Sequence, residues 1–192
     1  MFTRALETFL NQLDASPWAG ASGRVVRTPF RLYTPEQRRL RDASPWTLVQ
    51  GILAPVQFLV FLVSLVLVVR FLMTGHGEAA ATGSVIAKTG MLYLIMVTGS
   101  IWEREIFGKY LFAPAFFWED AISMIVLALH TVYLLALFGG WLDAHGLMLL
   151  ALLAYGTYVV NAGQFLLKLR AARLDETYWP LRDNSVPSGH FS

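Results

Sequence analysis

The sequence predicts an all-α fold: a four-span transmembrane helix bundle with an amphipathic helix at the N-terminus and both termini in the cytoplasm. Three features support this prediction. The chain is 56% hydrophobic and only 15% charged, whereas soluble domains carry roughly a quarter of their residues as charge. Four apolar runs are each long enough to cross a bilayer, which needs ~20 residues. The basic residues cluster outside these runs, where they report on topology.

Residues 1–32 are predicted to form an amphipathic N-terminal extension and linker. Five apolar side chains in residues 1–13 fall on one helical face, with polar residues on the other. This pattern is typical of a helix in the lipid headgroup region, and packing on the protein's own surface explains it equally well. The five side chains are Phe2, Leu6, Phe9, Leu10 and Leu13.

The membrane domain is predicted to cover residues 33–174. The sequence DASPW at 42–46 is a helix-start signal, with Ser44 as the N-cap and Pro45 at the first helical position. Residues 175–192 are polar, and we expect them to form a loosely docked or disordered C-terminal tail. The four spans are predicted at about 46–73, 83–106, 117–140 and 145–170.

Three groups of cations should lie on the cytoplasmic side of the membrane, because positively charged loops stay inside. One group precedes the first span, one lies between the second and third spans, and one follows the fourth span. This arrangement predicts four spans with both termini in the cytoplasm. The residues are Arg38, Arg39 and Arg41, then Arg104 and Lys109, then Lys168, Arg170 and Arg173.

Composition excludes several classes of function. A net charge of +2 is too small to indicate a nucleic-acid partner. The chain has no cysteine, which excludes disulfides, thiolate metal sites and cysteine nucleophiles. No Ser-His-Asp spacing, glycine-rich phosphate loop or metal-ligand cluster is present. Hydrolase, nucleotide-binding and redox-metal functions therefore have no support.

The segment from Trp102 to Asp120 joins the second and third spans and is unusual for such a connection. It contains four carboxylates, two cations and seven aromatic rings in nineteen residues. An interfacial charge network and favourable helix N-terminal electrostatics explain the acids without catalysis. Alternatively, burial beside aromatic rings would favour a protonated carboxyl that acts as a general acid. The four acids are Glu103, Glu105, Glu119 and Asp120.

Three of the spans carry one-sided lines of polar residues, which are costly inside a bilayer and need a partner or a task. In the first span these residues are Gln50, Gln57 and Ser64, seven residues apart. Interhelical hydrogen bonds are one explanation. The other is a ligand, with His130 as an axial metal ligand of a bound pigment or as a proton-transfer group. The third span presents Glu119, Ser123, His130 and Tyr133, and the fourth span presents Tyr158, Asn161, Gln164 and Lys168.

Three blocks of the chain together strongly resemble the 3-vinyl bacteriochlorophyllide hydratase family of bacteriochlorophyll biosynthesis. They are YTPEQRRLRDASPWTLVQGILAPVQFLVFLVSLVLVVRFL (33–72), LYLIMVTGSIWEREIFGKYLFAPAFFWEDAISMIVLALHTVYL (92–134) and YVVNAGQFLLKLRAARL (158–174). The resemblance covers residues 33–174. FGKYLFAPAFFWED and NAGQFLLKLRAARL make it specific, since neither is generic membrane sequence. The family resemblance provides no assigned catalytic residues to transfer to this sequence.

The resemblance implies addition of water to the 3-vinyl group of chlorophyllide a or 3-vinyl bacteriochlorophyllide a, giving the 3-(1-hydroxyethyl) product. It implies no cofactor, and no metal beyond the magnesium of the substrate. We expect Glu119 or Asp120 to donate the proton and Glu103 to orient or deprotonate water, with Glu105 as a further catalytic candidate. A non-catalytic pigment-binding or assembly subunit of a photosynthetic complex, or a scaffold that passes pigment between enzymes, are the alternatives.

The same resemblance guides the choice of substrate-binding residues. We expect His130, or else Asn161 or Gln164, to ligate the magnesium of the chlorin, and Tyr133 to line the same polar interior. Aromatic side chains would stack on the ring and a cation would bind the propionate. The expected partners are the chlorin, the lipid of the bacterial inner membrane (cytoplasmic or intracytoplasmic photosynthetic) and other bacteriochlorophyll biosynthesis enzymes. The remaining residues are Phe112, Phe116, Phe117 and Trp118 for stacking, and Arg104 and Lys109 for the propionate.

Overall fold

The computed structural model describes the backbone of residues 33–183 and the side chains of residues 33–170. Its regular elements are all helical. The predicted amphipathic helix at 1–13 lies outside the described residues. The five described helices are α1 (Pro35–Ala43), α2 (Pro45–Thr74), α3 (Glu78–Phe107), α4 (Phe117–Gly139) and α5 (Ala144–Asp183).

Four of these helices are long and apolar enough to cross a membrane: α2, α3, α4 and the part of α5 up to Arg170. The prediction of an all-helical chain with four apolar spans is confirmed at this level. α5 continues to Asp183, so the segment expected to be a tail begins as helix. α3 begins at Glu78, five residues before the predicted span, because Gly77 in the left-handed conformation starts it and an acidic first turn favours the helix N-terminus.

Local capping explains where the first two helices begin. Thr34 and Gln37 form a capping box at the start of α1, a helix that the sequence analysis did not predict. Ser44 accepts a hydrogen bond from the Trp46 backbone N–H at 3.2 Å, and Pro45 takes the first position of α2, as predicted. Strong local signals thus set both starts.

Left-handed glycines end three of the helices, and Gly108, at φ 75°, ends α3 directly before the connection to α4. A non-glycine residue in this conformation costs ~1 kcal/mol or more. We therefore expect Gly108→Ala to lower the free energy of unfolding by ~1 kcal/mol, measured by thermal unfolding in one detergent. Gly90→Ala is the matched control. Gly90 lies inside α3 with open space at its Cβ, and alanine there should raise stability by ~0.5 kcal/mol. Equal melting temperatures for the two variants would contradict the conformational argument.

The four long helices run antiparallel in chain order, and α2 packs mainly on α3 while α4 packs mainly on α5. The core between them includes Phe61, Val68, Val85 and Tyr155. Many large apolar side chains point outward instead, such as Val66 at 65% exposure. An outward apolar surface of this kind suits lipid contact.

This order brings the start of α2, the end of α3, the start of α4 and the 161–170 part of α5 to one end of the bundle. We call it the acid end, because Glu103, Glu105, Glu119 and Asp120 all lie there. The connection 108–116 between α3 and α4 crosses it. The fold therefore gathers residues far apart in sequence at one edge of the membrane domain.

Candidate active site

The central feature of the acid end is a pair of buried carboxyl groups, Glu103 from the last turns of α3 and Asp120 from the first turn of α4. Their exposed fractions are 4% and 7%. The two carboxyl groups are neighbours and interact directly with each other. Two ionised carboxylates repel each other at close range in a buried site, which favours a state in which one of the two carries a proton. The pair is thus arranged to hold one proton.

The same pair fixes the connection between the two helices. The Ala113 backbone N–H donates to Glu103 Oε1 at 2.6 Å, and the Phe112 backbone N–H donates to Asp120 Oδ2 at 2.7 Å. Phe112 has a φ of 59°, in the region that non-glycine residues rarely adopt. Charge-assisted bonds from consecutive N–H groups stabilise this local conformation. The pair therefore holds a strained segment directly above it.

Glu119 has a different partner. Its Oε2 lies 2.6 Å from Lys168 Nζ on α5, and this salt bridge is largely buried. The ammonium group also lies 4.7 Å from the centroid of the Phe116 ring. Glu119 also acts electrostatically on Asp120. The site thus combines the buried Glu103–Asp120 pair with a neighbouring carboxylate that is held in a salt bridge.

Sequence analysis placed Lys168 only in a cationic flank and a polar line, and missed it as a site residue. Its spacing from Gln164 and Asn161 on one face of the helix was the available signal. Glu105 lies apart from the other acids. It is exposed, and its Oε2 accepts from the Ser44 hydroxyl at 2.7 Å, which ties α3 to the corner between α1 and α2.

The four predicted stacking rings divide into two groups. Phe116 is buried at 7% exposure, against Trp102 and Phe165. Phe112, Phe117 and Trp118 point outward at 40%, 47% and 69% exposure. The centroid of the Phe117 ring lies 5.6 Å from the ring centroids of both Phe112 and Trp118. A continuous aromatic surface thus lies on the outside of the acid end.

The two predicted propionate-binding cations are both exposed beside this surface. Arg104 donates to the Tyr110 hydroxyl, and its guanidinium lies 4.3 Å from the centroid of the same ring. Lys109 is exposed in the connection. Both are therefore accessible to a ligand at the acid end.

Asn161 and Gln164 lie on α5 at the inner edge of the acid end, on the side toward the middle of the bundle. Asn161 Nδ2 donates to the Ser123 hydroxyl of α4 at 2.9 Å. Among the described side chains, Asn161 Oδ1 and Gln164 Oε1 are buried without a hydrogen-bond partner. Two carbonyl oxygens are thus available to a ligand near the salt bridge.

His130 and Tyr133 lie deeper, in the middle of the bundle, and both are fully buried. His130 Nδ1 donates to the Val126 carbonyl at 2.8 Å, which leaves Nε2 as an acceptor. Lys88, also fully buried, places its Nζ 3.8 Å from the centroid of the Tyr158 ring. Sequence analysis did not single out Lys88, although a lysine ten residues into a 30-residue apolar helix was itself a signal.

The chain is similar to known proteins over most of its length. The family model for 2-vinyl bacteriochlorophyllide hydratase matches residues 33–171. The 2-vinyl bacteriochlorophyllide hydratase of Cereibacter sphaeroides is 67% identical over 146 residues, covering 76% of this chain and 90% of that protein. The protein of the same name from Rhodobacter capsulatus is 68% identical over 143 residues, covering 74% and 83%. No solved structure matches the chain significantly.

Proposed function

We propose a mechanism for this chain on the premise that it belongs to the 2-vinyl bacteriochlorophyllide hydratase family and is therefore a hydro-lyase of bacteriochlorophyll biosynthesis. The resemblance found in the sequence is confirmed, since the 2-vinyl and 3-vinyl names are two wordings for one family. Our proposal concerns the site: the vinyl group of a magnesium chlorin docks at the acid end, against Glu103 and Asp120.

Hydration of a vinyl group needs one proton and one water molecule. The proton of the Glu103–Asp120 pair adds to the terminal vinyl carbon, and the resulting cation is delocalised into the macrocycle. Water then attacks the inner carbon, and Glu119 accepts the proton that the water loses. Glu119 returns that proton to the neighbouring Asp120, so atoms and charge balance without a redox cofactor. The product is the 3-(1-hydroxyethyl) compound.

The observation that carries this proposal is the pair of buried, adjacent carboxyl groups, because their mutual repulsion favours holding one proton between them. It also exchanges the roles expected from the sequence. Glu119, expected as the acid, is paired with Lys168 and suits the base. Glu103, expected as the base, belongs to the proton-bearing pair. Glu105, which binds Ser44, has a structural task in this proposal.

The macrocycle is proposed to lie against the exposed rings of Phe112, Phe117 and Trp118, with its propionate at Arg104 or Lys109. A flat apolar face matches an exposed aromatic surface, and aromatic pairs prefer offset or edge contacts. Phe116 serves instead as packing beneath Lys168. The position of the ring at the membrane edge suits a pigment that is mostly apolar with one charged tail.

The magnesium ligand is proposed to be Gln164, with Asn161 as the alternative. Magnesium prefers oxygen ligands, and Gln164 Oε1 has no partner among the described side chains. His130 lies eleven residues beyond Glu119 on α4, about 16 Å along the helix axis. That exceeds the distance between the metal of a chlorin and its own vinyl group. A pigment whose magnesium is bound by His130 therefore cannot also place its vinyl group at the acid end.

Gln164→Leu should weaken binding of the magnesium chlorin ~10-fold, because it removes the oxygen ligand while keeping a similar volume. Binding of the same pigment without magnesium should stay unchanged, since stacking and propionate contacts remain. Fluorescence quenching of the two pigments in nanodiscs measures both affinities. Equal losses for the two pigments would show that Gln164 acts through shape and not through the metal.

The acid end is proposed to face the cytoplasm, because the cations of α1, of the 108–116 connection and of the 168–173 segment gather there. Both termini then lie in the cytoplasm, and the protein resides in the inner or intracytoplasmic photosynthetic membrane. Substrate would arrive from, and product pass to, other enzymes of bacteriochlorophyll biosynthesis at this face.

A direct assay tests the proposed function. Membranes containing this chain alone are incubated with a 3-vinyl chlorophyllide. The expected result is a blue-shifted red absorption band and a mass gain of one water, and membranes without the chain are the control. Bound but unchanged pigment with well-folded protein would instead identify a pigment-binding or assembly subunit.

A further inference from the structure

Buried polar atoms without hydrogen-bond partners concentrate along one line through the bundle interior. Among the described side chains, these atoms include Gln164 Oε1 and Asn161 Oδ1 near the acid end. Deeper along the line are Gln57 Oε1, Lys88 Nζ, His130 Nε2 and the Tyr133 hydroxyl. We call this line the polar seam. Each such atom costs several kcal/mol in an apolar interior if nothing bonds to it, so their alignment points to a ligand.

The seam is continuous because its residues repeat at helical spacing on facing helices. On α5, Gln164 and Asn161 lie one turn apart, and Tyr158 follows after another turn. Asn161 is tied to Ser123 of α4. Tyr158 contacts the Lys88 ammonium group, which acts electrostatically on His130. The seam begins four residues from Lys168, next to the proposed base.

The donor and acceptor pattern of the seam identifies the chemical class of its ligand. Lys88 offers three N–H donors and no acceptor. His130 Nε2 is an acceptor, because Nδ1 donates to the Val126 carbonyl, and Gln57 Oε1 is an acceptor too. An anion has no proton for these two acceptors, and a cation is repelled by Lys88. Water offers both donors and acceptors and fits polar groups distributed along a line.

We propose that the polar seam holds bound water inside the bundle and delivers the reactant water to Glu119. This inference rests on the proposed function, in which a flat macrocycle covers the acid end from outside. A closed site excludes bulk water, so the water that attacks the cation reaches Glu119 from the protein interior. Asn161 Oδ1, together with the N–H donors of Gln164 that magnesium ligation leaves free, links the deeper polar groups to that carboxylate.

Radiolytic labelling in H₂¹⁸O tests the water without depending on catalysis. The full chain in lipid nanodiscs, without pigment, is irradiated briefly and ¹⁸O incorporation is mapped by mass spectrometry. We expect incorporation at the buried rings of Tyr133 and Tyr158. Met148, equally buried but in apolar packing, is the internal control and should stay unlabelled. Absence of label from both tyrosines would overturn the inference, whether or not the chain hydrates its substrate.

Delivery of water is tested by Lys88→Met, which keeps the length of the side chain and removes its donors. We expect less label at Tyr158 and a ~10-fold lower kcat with an unchanged KM. Tyr93→Phe is the control, because it removes a hydroxyl that lies 2.7 Å from Thr131 Oγ1 in an interhelical contact away from the seam. It should change neither the label at Tyr158 nor the kcat. Tyr133→Phe, which keeps the ring, repeats the rate test if Lys88→Met does not fold. An unchanged kcat in a folded seam variant would overturn delivery.

Thermal unfolding separates a hydrated seam from a dry one. If Lys88 were dry and uncompensated, Lys88→Met would remove a buried charge and raise the melting temperature. In a hydrated seam it removes hydrogen bonds to water, and the melting temperature should fall or stay the same. A marked rise would overturn the inference. If the seam is labelled but the chain has no hydratase activity, the inference of bound water stands and the proposed function is rejected.

Discussion

Glu103→Gln and Asp120→Asn should each lower the kcat for vinyl hydration by ~10²–10⁴-fold, the usual contribution of general acid catalysis. In both variants the amide replaces a carboxyl group of similar shape. The new carbonyl oxygen still accepts from the backbone N–H of Ala113 or Phe112, and the new NH₂ group donates to the remaining carboxylate. The connection stays fixed, while the transferable proton is lost. Single-turnover conversion at saturating pigment measures the effect.

Glu105→Gln is the matched control for this experiment. Glu105 lies two residues from Glu103 on the same helix and binds Ser44. Its amide can still accept from the Ser44 hydroxyl, so we expect wild-type turnover. Melting temperatures of the three variants should agree with the wild type, since the geometry of the hydrogen bonds is retained. Turnover by Glu103→Gln or Asp120→Asn close to that of Glu105→Gln would contradict the assignment of the pair as the acid.

Lys168→Met should destabilise the protein by ~3 kcal/mol, because breaking a buried pair leaves an uncompensated charge. The side chains of Lys168 and Glu119 are only 18% and 11% exposed, so water compensates little of this loss. The double variant Lys168→Met/Glu119→Gln removes both charges and should recover most of the stability. Thermal or denaturant unfolding in one detergent measures all three proteins.

Activity separates the structural role of this salt bridge from its chemical role. The double variant should remain inactive despite its recovered stability, because it lacks the carboxylate that accepts the proton of water. A double variant that hydrates the pigment at the wild-type rate would exclude Glu119 as the base. A single variant Lys168→Met as stable as the wild type would contradict the predicted cost of breaking this buried pair.

The helices were largely predictable because their signals are local. A run of apolar residues longer than ~20 fixes a membrane span without reference to the rest of the chain. Ser44 and Pro45 mark the start of α2 for the same reason. α1 was not predicted although Thr34 and Gln37 form a capping box, because its polar sequence has no apolar face or run. The extension of α5 to Asp183 was missed because its polar sequence lacks an apolar run.

The location of the site could be predicted from the sequence, but the pairing of its charged side chains could not. The crowding of acids and rings between Trp102 and Asp120 identified the acid end, and the stripe on the fourth span contained Lys168. Which acid faces which partner depends on helix rotation. Glu103 and Glu105 point about 200° apart on an α-helix, and only the packing of α3 on its neighbours turns Glu103 toward Asp120 and Glu105 toward Ser44.

The sequence by itself thus determined four spans, the acidic aromatic connection and the family, because each depends on residues close together in the chain or on similarity along it. Tertiary structure alone decided that Glu103 lies beside Asp120, that Glu119 pairs with Lys168 and that Lys88 lies near His130 inside the bundle. These contacts link different helices, and the energy that selects them comes from desolvation and packing in the folded state. No local pattern in the chain encodes which charges meet.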